Sequence, residues 1–164
     1  MTEIIKTTEK DIPVIEDILL DAVHWLDAIG QPLWREDWVM WEKLSQNYKL
    51  SDFRIALFDG TPAACMAVMD HDPHIWPDVK KGTSLFIHKL AVKRFAAGMG
   101  LSDALIGYAK MMCAESGAAY LRLDCHQDRP KLRAVYERNG FVCVGEKVIF
   151  DIYRTAFYEY KLGG

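Results

Sequence analysis

The 164-residue chain has little excess charge, with a formal net charge of −3. No block of Lys and Arg stands in it, so a general nucleic-acid surface, which presents a basic face, is not expected. No apolar run approaches the ~20 residues that a helix needs to cross a bilayer. Met1-Thr2-Glu3-Ile4-Ile5-Lys6 lacks the apolar centre of a secretion signal. The four cysteines, Cys65, Cys113, Cys125 and Cys143, form no Cys-x-x-Cys pair and have no histidine cluster beside them. A zinc site is therefore not expected, and the thiols read as small buried residues of a reduced, cytoplasmic protein. Internal repeats, linkers and low-complexity stretches are missing too, so one domain over residues 1–164 is expected.

What is present is a folded chain, 51% hydrophobic and rich in aromatics. Residues 2–7 read as a short strand. Asp11-Ile12-Pro13 reads as a helix start, with Asp11 as N-cap. Ile12, Ile15, Ile18/Leu19, Ala22/Val23 and Leu26 continue it as an apolar stripe to Gly30. Trp34, Trp38, Trp41 and Leu44 recur at helical spacing and predict a second helix over 35–47. Strands follow at 52–59 and 62–70, joined by the hairpin signal Asp59-Gly60. The polar loop Asp70-His71-Asp72-Pro73-His74 holds metal-ligand residue types, but their spacing is crowded and no third site is evident. It reads as a solvated loop, and no metal is expected. Later strands are predicted at 120–125, 141–149 and 155–162, with a short helix between Pro130 and Asn139-Gly140.

The most informative stretch is His88 to Asp103. Leu85, Ile87 and Val92 are strand formers. From Gly100 onward Leu101, Leu105, Tyr108 and Met112 take helical spacing. The turn between them, Ala96-Ala97-Gly98-Met99-Gly100, is nearly stripped of side chains. A bare turn before a helix can cradle a pyrophosphate on unpaired amides at the positive end of the dipole. It can equally be a tight turn that lets helix and strand pack closely, and spacing alone leaves both readings open. The triphosphate loop is excluded because Leu101-Ser102 follows Gly100 where Lys-Ser/Thr is needed. The dinucleotide fingerprint is excluded because Asp103 stands at its third glycine.

Leu90-Ala91-Val92 followed by Phe95-Ala96-Ala97-Gly98-Met99-Gly100 resembles the acetyl-CoA loop of the GNAT N-acetyltransferase superfamily. Phe95 stands where that family prefers Arg or Gln. A second family motif is matched by Leu121-Arg122-Leu123-Asp124-Cys125 and Leu132-Arg133-Ala134-Val135-Tyr136-Glu137-Arg138-Asn139-Gly140-Phe141. There Arg129 takes the place of a frequent Asn seven residues before the Tyr. The match runs over roughly residues 50–150. The resemblance implies an α/β (α+β) fold: a mixed, mostly antiparallel sheet of six to seven strands, about four flanking helices and two splayed central strands. It implies acetyl-CoA as donor and CoA as product. Main-chain groups of Leu90, Ala91 and Val92 would hold the pantetheine arm. Phe95, Ala96, Ala97, Gly98, Met99, Gly100, Leu101 and Ser102 would hold the pyrophosphate. Arg129 would lie by the pantetheine arm or adenine.

The implied reaction is direct acetyl transfer to a primary amine of a small molecule or peptide, without nucleic-acid or membrane partners. By the resemblance, Tyr136 assists the departing thiolate. Full proton transfer from Tyr to sulfur is uphill by about 2 kcal/mol at ordinary pKa values, so a hydrogen bond is the better description. An alkyl amine at pH 7 is almost wholly protonated, a penalty of roughly 4.6 kcal/mol, so the site needs a proton acceptor. His88, on the same strand face as Leu90 by alternation, is the candidate. Asp70, His71, Asp124 and His126 are its rivals, and Cys125 is an alternative acyl-accepting nucleophile. The Trp-rich segment and the acidic loop at Asp70 and Asp72 suggest an aromatic-walled site for a cationic amine. A catalytically weak acyl-CoA sensor with the same fold is the competing reading, kept open by Phe95 and Arg129. Oligomeric state is not readable, although a homodimer is the commonest soluble assembly.

Overall fold

A computed structural model describes residues 1–163. Among the described residues seven strands are hydrogen-bonded in the order β1-β2-β3-β4-β5-β7-β6. The chain gathers into two compact units, Met1–Ala67 with Lys89–Leu105, and Val68–His88 with the chain from Ile106 onward.

In the first unit, β1 (Thr2–Lys6) pairs antiparallel with β2 (Phe53–Phe58), and β2 with β3 (Thr61–Met69). Asp59 and Gly60 both take positive φ, the conformation that the tight hairpin turn requires. Helix α1 (Ile12–Ala28) buries Ile15, Ile18, Leu19, Ala22 and Val23, one stripe at i, i+3, i+4, i+7 and i+8. They pack with Val39, Leu44, Phe53, Ile55, Cys65, Ala67 and Ala91. Each buried Ile, Leu, Val or Phe among them contributes roughly 1.5–3 kcal/mol. Asp11 does precede α1, but its carboxylate turns back to accept the Thr8 amide at 2.7 Å instead of capping the helix.

The helix predicted over 35–47 is broken. Glu36–Val39 is a single tight turn, and α2 is only Trp41–Leu44. Met40 between them is extended, with ψ 145°, and the Trp41 amide donates to the Glu16 carboxylate at 2.9 Å. A side chain from α1 thus takes the hydrogen bond that a continuous helix would have used.

β4 (Ser84–Val92) runs through both units, as does α3 (Leu101–Ser116), which Gly117 ends with positive φ. In the second unit β4 pairs parallel with β5 (Tyr120–His126), β5 antiparallel with β7 (Tyr153–Lys161), and β7 with β6 (Val142–Ile149). Helix α4 (Pro130–Arg138) begins at Pro130, as expected. The parallel ladder holds only Ser84 to Phe86 against Tyr120 to Arg122. Arg122 secures that end, donating to the Ser84 hydroxyl at 2.9 Å and pairing with Glu159 on β7 at 2.6 Å. Beyond Phe86 and Arg122 the two strands are no longer paired with each other, which is the expected splay. Among the described residues no helix is long and apolar enough to cross a membrane.

Candidate active site

The turn leading into α3 owes its shape to two glycines. Gly98 and Gly100 both sit at φ +79°, where a side chain is strained. A Cβ placed on either would meet no atom within 4 Å, so close packing is not what selects glycine here. The glycine side of the turn is open. Helical bonding starts with the Ala104 amide on the Gly100 carbonyl at 3.0 Å, which leaves Leu101 and Ser102 ahead of it with no helical carbonyl to reach. Ala96, Ala97 and Met99 use their own amides inside the turn, on Lys93, Arg94 and Ala96 carbonyls at 3.0–3.3 Å. The nearby cations are engaged: Lys93 pairs with Asp17, and Arg94 stacks on Trp25 at 3.9 Å. Phe95 is 55% exposed. The side chains of this turn are thus apolar or engaged elsewhere, and what it presents on the glycine side is main chain.

β4 carries a second backbone feature. Lys89 is left-handed, with φ 54°, in mid-strand. Its carbonyl accepts from the Cys65 thiol at 3.7 Å, and its ammonium lies 4.6 Å from the Trp34 ring centre. This residue breaks the two-residue repeat, so the alternation that placed His88 and Leu90 on one face does not carry across it. Ala91 is buried, and Leu90 and Val92 are partly so.

The second unit gathers the titratable groups. The Nε2 of His88 lies 3.1 Å from the Oδ2 of Asp72, and a carboxylate oxygen of Asp124 completes a group whose members lie within 4.8 Å of one another. The Asp72 loop is fixed locally, its other carboxylate oxygen accepting the Ile75 amide at 3.3 Å and its carbonyl the Trp76 amide at 2.9 Å. The 3.1 Å contact has the distance of an ion pair but not the angles of a hydrogen bond, and Oδ2 is buried without one. Asp124 also acts electrostatically on Tyr136, whose ring lies 5.9 Å from Tyr158 and 6.2 Å from Phe141. Burial pushes the Tyr136 hydroxyl well above its ordinary range, and Cys125 and Asp124 add to the effect.

Of the rival groups, Asp70 is exposed and faces Lys81 at 3.8 Å, and His126 accepts the Asp128 amide at 3.1 Å. Burial pushes the Cys125 thiol up to about 12, which argues against it as a thiolate nucleophile. Arg129 occupies the N-cap of α4. The structure thus joins two expected groups, His88 and Asp124, to Asp72. The last had appeared only as part of an acidic loop, because no spacing rule links residues 72, 88 and 124.

The model of the Acetyltransferase (GNAT) family matches residues 17–141. The chain belongs to this GNAT family. Both motifs of this GNAT chain fall inside the matched region. An uncharacterized N-acetyltransferase of Bacillus subtilis (strain 168), YesJ, is 32% identical over 79 residues, 48% of this chain and 44% of that protein. The chain thus matches less than half the length of that curated relative. A GNAT-family acetyltransferase from Listeria monocytogenes 4b F2365 superposes with a TM-score of 0.78 at 23% identity, over 98% of this chain and 95% of that one. The yncA acetyltransferase of Salmonella typhimurium, solved with its cofactor acetyl-CoA, gives a TM-score of 0.70 at 14% identity, covering 100% and 95% of the two chains. These two likenesses concern the fold.

Proposed function

We propose that this GNAT chain is an N-acetyltransferase that binds acetyl-CoA and passes its acetyl group to a primary amine. The observation that carries the reading is β4, which leaves its parallel partner after Phe86, turns left-handed at Lys89 and runs into the open glycine turn. Its main chain at Leu90–Val92, beyond the last pair with β5, suits the amide-rich pantetheine arm on that side. The glycine side of the turn, ending in the amides of Leu101 and Ser102, suits the pyrophosphate. The acetyl-CoA held by the Salmonella yncA protein supports the same donor here.

In the transfer, the amine nitrogen bonds to the thioester carbonyl carbon and the C–S bond breaks, its electron pair going to sulfur. The amine gives up a proton, which we assign to His88. Tyr136 donates a hydrogen bond to the sulfur as charge develops there. Its raised hydroxyl keeps it a neutral donor and makes outright proton transfer still less favourable. The acceptor amine belongs to a small molecule or a peptide.

Titration calorimetry with acetyl-CoA, with CoA and ATP as controls, tests the donor. Saturable micromolar binding of acetyl-CoA and CoA, with ATP far weaker, is the expected result. No acetyl-CoA binding overturns the reading.

A further inference from the structure

We propose that Asp72, His88 and Asp124 form a divalent transition-metal site of the Zn²⁺ class, whose occupation takes the imidazole out of use. Asp72 is 7% exposed, and its Oδ2 points at His88 Nε2 from 3.1 Å without a hydrogen bond of its own. A buried carboxylate oxygen in that state is met by a cation, either a protonated His88 or, with the imidazole neutral, a metal ion held by both. The group supplies two carboxylates and one imidazole. Their summed charge, with neutral histidine, is −2, which a divalent ion cancels.

The geometry suits a small ion. Metal–ligand distances of about 2.0–2.2 Å put neighbouring ligand atoms roughly 3–3.5 Å apart. The Asp72–His88 pair already has that spacing, and the group, whose members lie within 4.8 Å of one another, need close by no more than about 1 Å. The mixed nitrogen and oxygen set favours Zn²⁺ over Mg²⁺ or Ca²⁺, which take oxygen ligands in larger number. Asp72 comes with its support in place, since Oδ1 already accepts the Ile75 amide. The ligands come from the loop after β3, from β4 and from β5, so the neighbouring His71 and His74 are not part of the set.

The consequence for catalysis rests on the reading given under Proposed function. An imidazole bound to metal cannot accept the proton of the amine, so Zn²⁺ at this site would inhibit acetyl transfer. The site itself does not depend on that reading, because metal binding is measured without substrate.

The experiment is a calorimetric titration of the chelator-treated, desalted full chain with ZnCl₂, with MgCl₂ as control. One equivalent of Zn²⁺ is expected to bind, and Mg²⁺ to give no saturable binding. Asp72→Asn and His88→Gln should each lower Zn²⁺ affinity at least ~10- to 100-fold, and Asp70→Asn should leave it unchanged. Circular dichroism checks that each variant is folded, and a misfolded Asp72→Asn leaves His88→Gln to decide. No saturable Zn²⁺ binding overturns the proposal, as does binding that survives both ligand variants. Acetyl-CoA titrated into the same metal-free sample separates the two ideas. Loss of acetyl-CoA binding with Zn²⁺ binding intact removes the enzyme reading and keeps the metal site.

Discussion

Tyr136 separates catalysis from packing at the scale of one residue. Its ring packs against those of Phe141 and Tyr158, and its hydroxyl is held protonated by burial. Tyr136→Phe keeps the ring and removes only the donor. The expected result is a fall in kcat of about 10²-fold, near the lower end of what a positioned proton donor supplies. Acetyl-CoA affinity should be unchanged, and stability should shift by under ~1 kcal/mol. An unchanged kcat would return Tyr136 to a packing role. Cys125 gives a chemical counterpart. With its thiol pushed up to about 12, roughly one molecule in 10⁴ carries the thiolate at pH 8. Iodoacetamide followed by peptide mass mapping should leave Cys125 unmodified in the folded chain and modify it after denaturation.

At the scale of elements, Lys89 is left-handed in mid-strand, three residues beyond the last pair that β4 makes with β5. A β-branched residue tolerates φ 54° badly, whereas glycine accepts it without strain. Lys89→Val should therefore be about 1–2 kcal/mol less stable than Lys89→Gly by urea denaturation. It should also weaken acetyl-CoA binding, and Lys89→Gly should retain it. Equal effects of the two would show that the backbone at this point does not position the donor. Nothing in the sequence announces this bend, because lysine carries no conformational signal. Most boundaries were legible for the opposite reason. Gly60, Gly117 and Gly140 sit at positive φ where the chain must turn, and Pro130 opens α4. The turn into α3 was legible as a glycine motif, and the empty space at both Cβ positions means that close packing is not what selects glycine there. The segment 35–47 misled because tryptophan spacing reports burial period, not who receives each amide. Glu16, 25 residues before Trp41, redirected one hydrogen bond and broke the helix. The Asp72–His88–Asp124 group was hidden likewise, since residues far apart in the chain meet only when the strands are in register.

Across the whole molecule, buried ionisable groups set how stability responds to alkali. Burial pushes the thiols of Cys65 and Cys125 from 9.0 up to about 12, and it raises Cys113 in the same direction. Cys65 belongs to one compact unit, and Cys113 and Cys125 to the other. A thiol raised in the folded state favours folding while both states keep it protonated. As pH climbs past 9, the unfolded chain ionises first and gains, so stability falls over the window from 9 to 12. Tyr158, raised to about 12, adds to that fall from its own ordinary value of 10.0 upward. Lys110 works the other way, because burial lowers it and the folded chain loses its proton more readily. Tyr136, raised by burial as well, acts in the same direction, so one lysine stands against three thiols and two tyrosines, and stability falls with rising pH. The slope per thiol is at most about 1.4 kcal/mol per pH unit. Urea unfolding at pH 8.0, 9.5 and 10.5 should show the decline, under reducing conditions throughout. Cys65→Ala should be less stable at pH 8.0, where it leaves a small cavity, and should lose less on going to pH 10.5. Parallel pH curves for the two proteins would show that Cys65 does not titrate differently between the folded and unfolded chain.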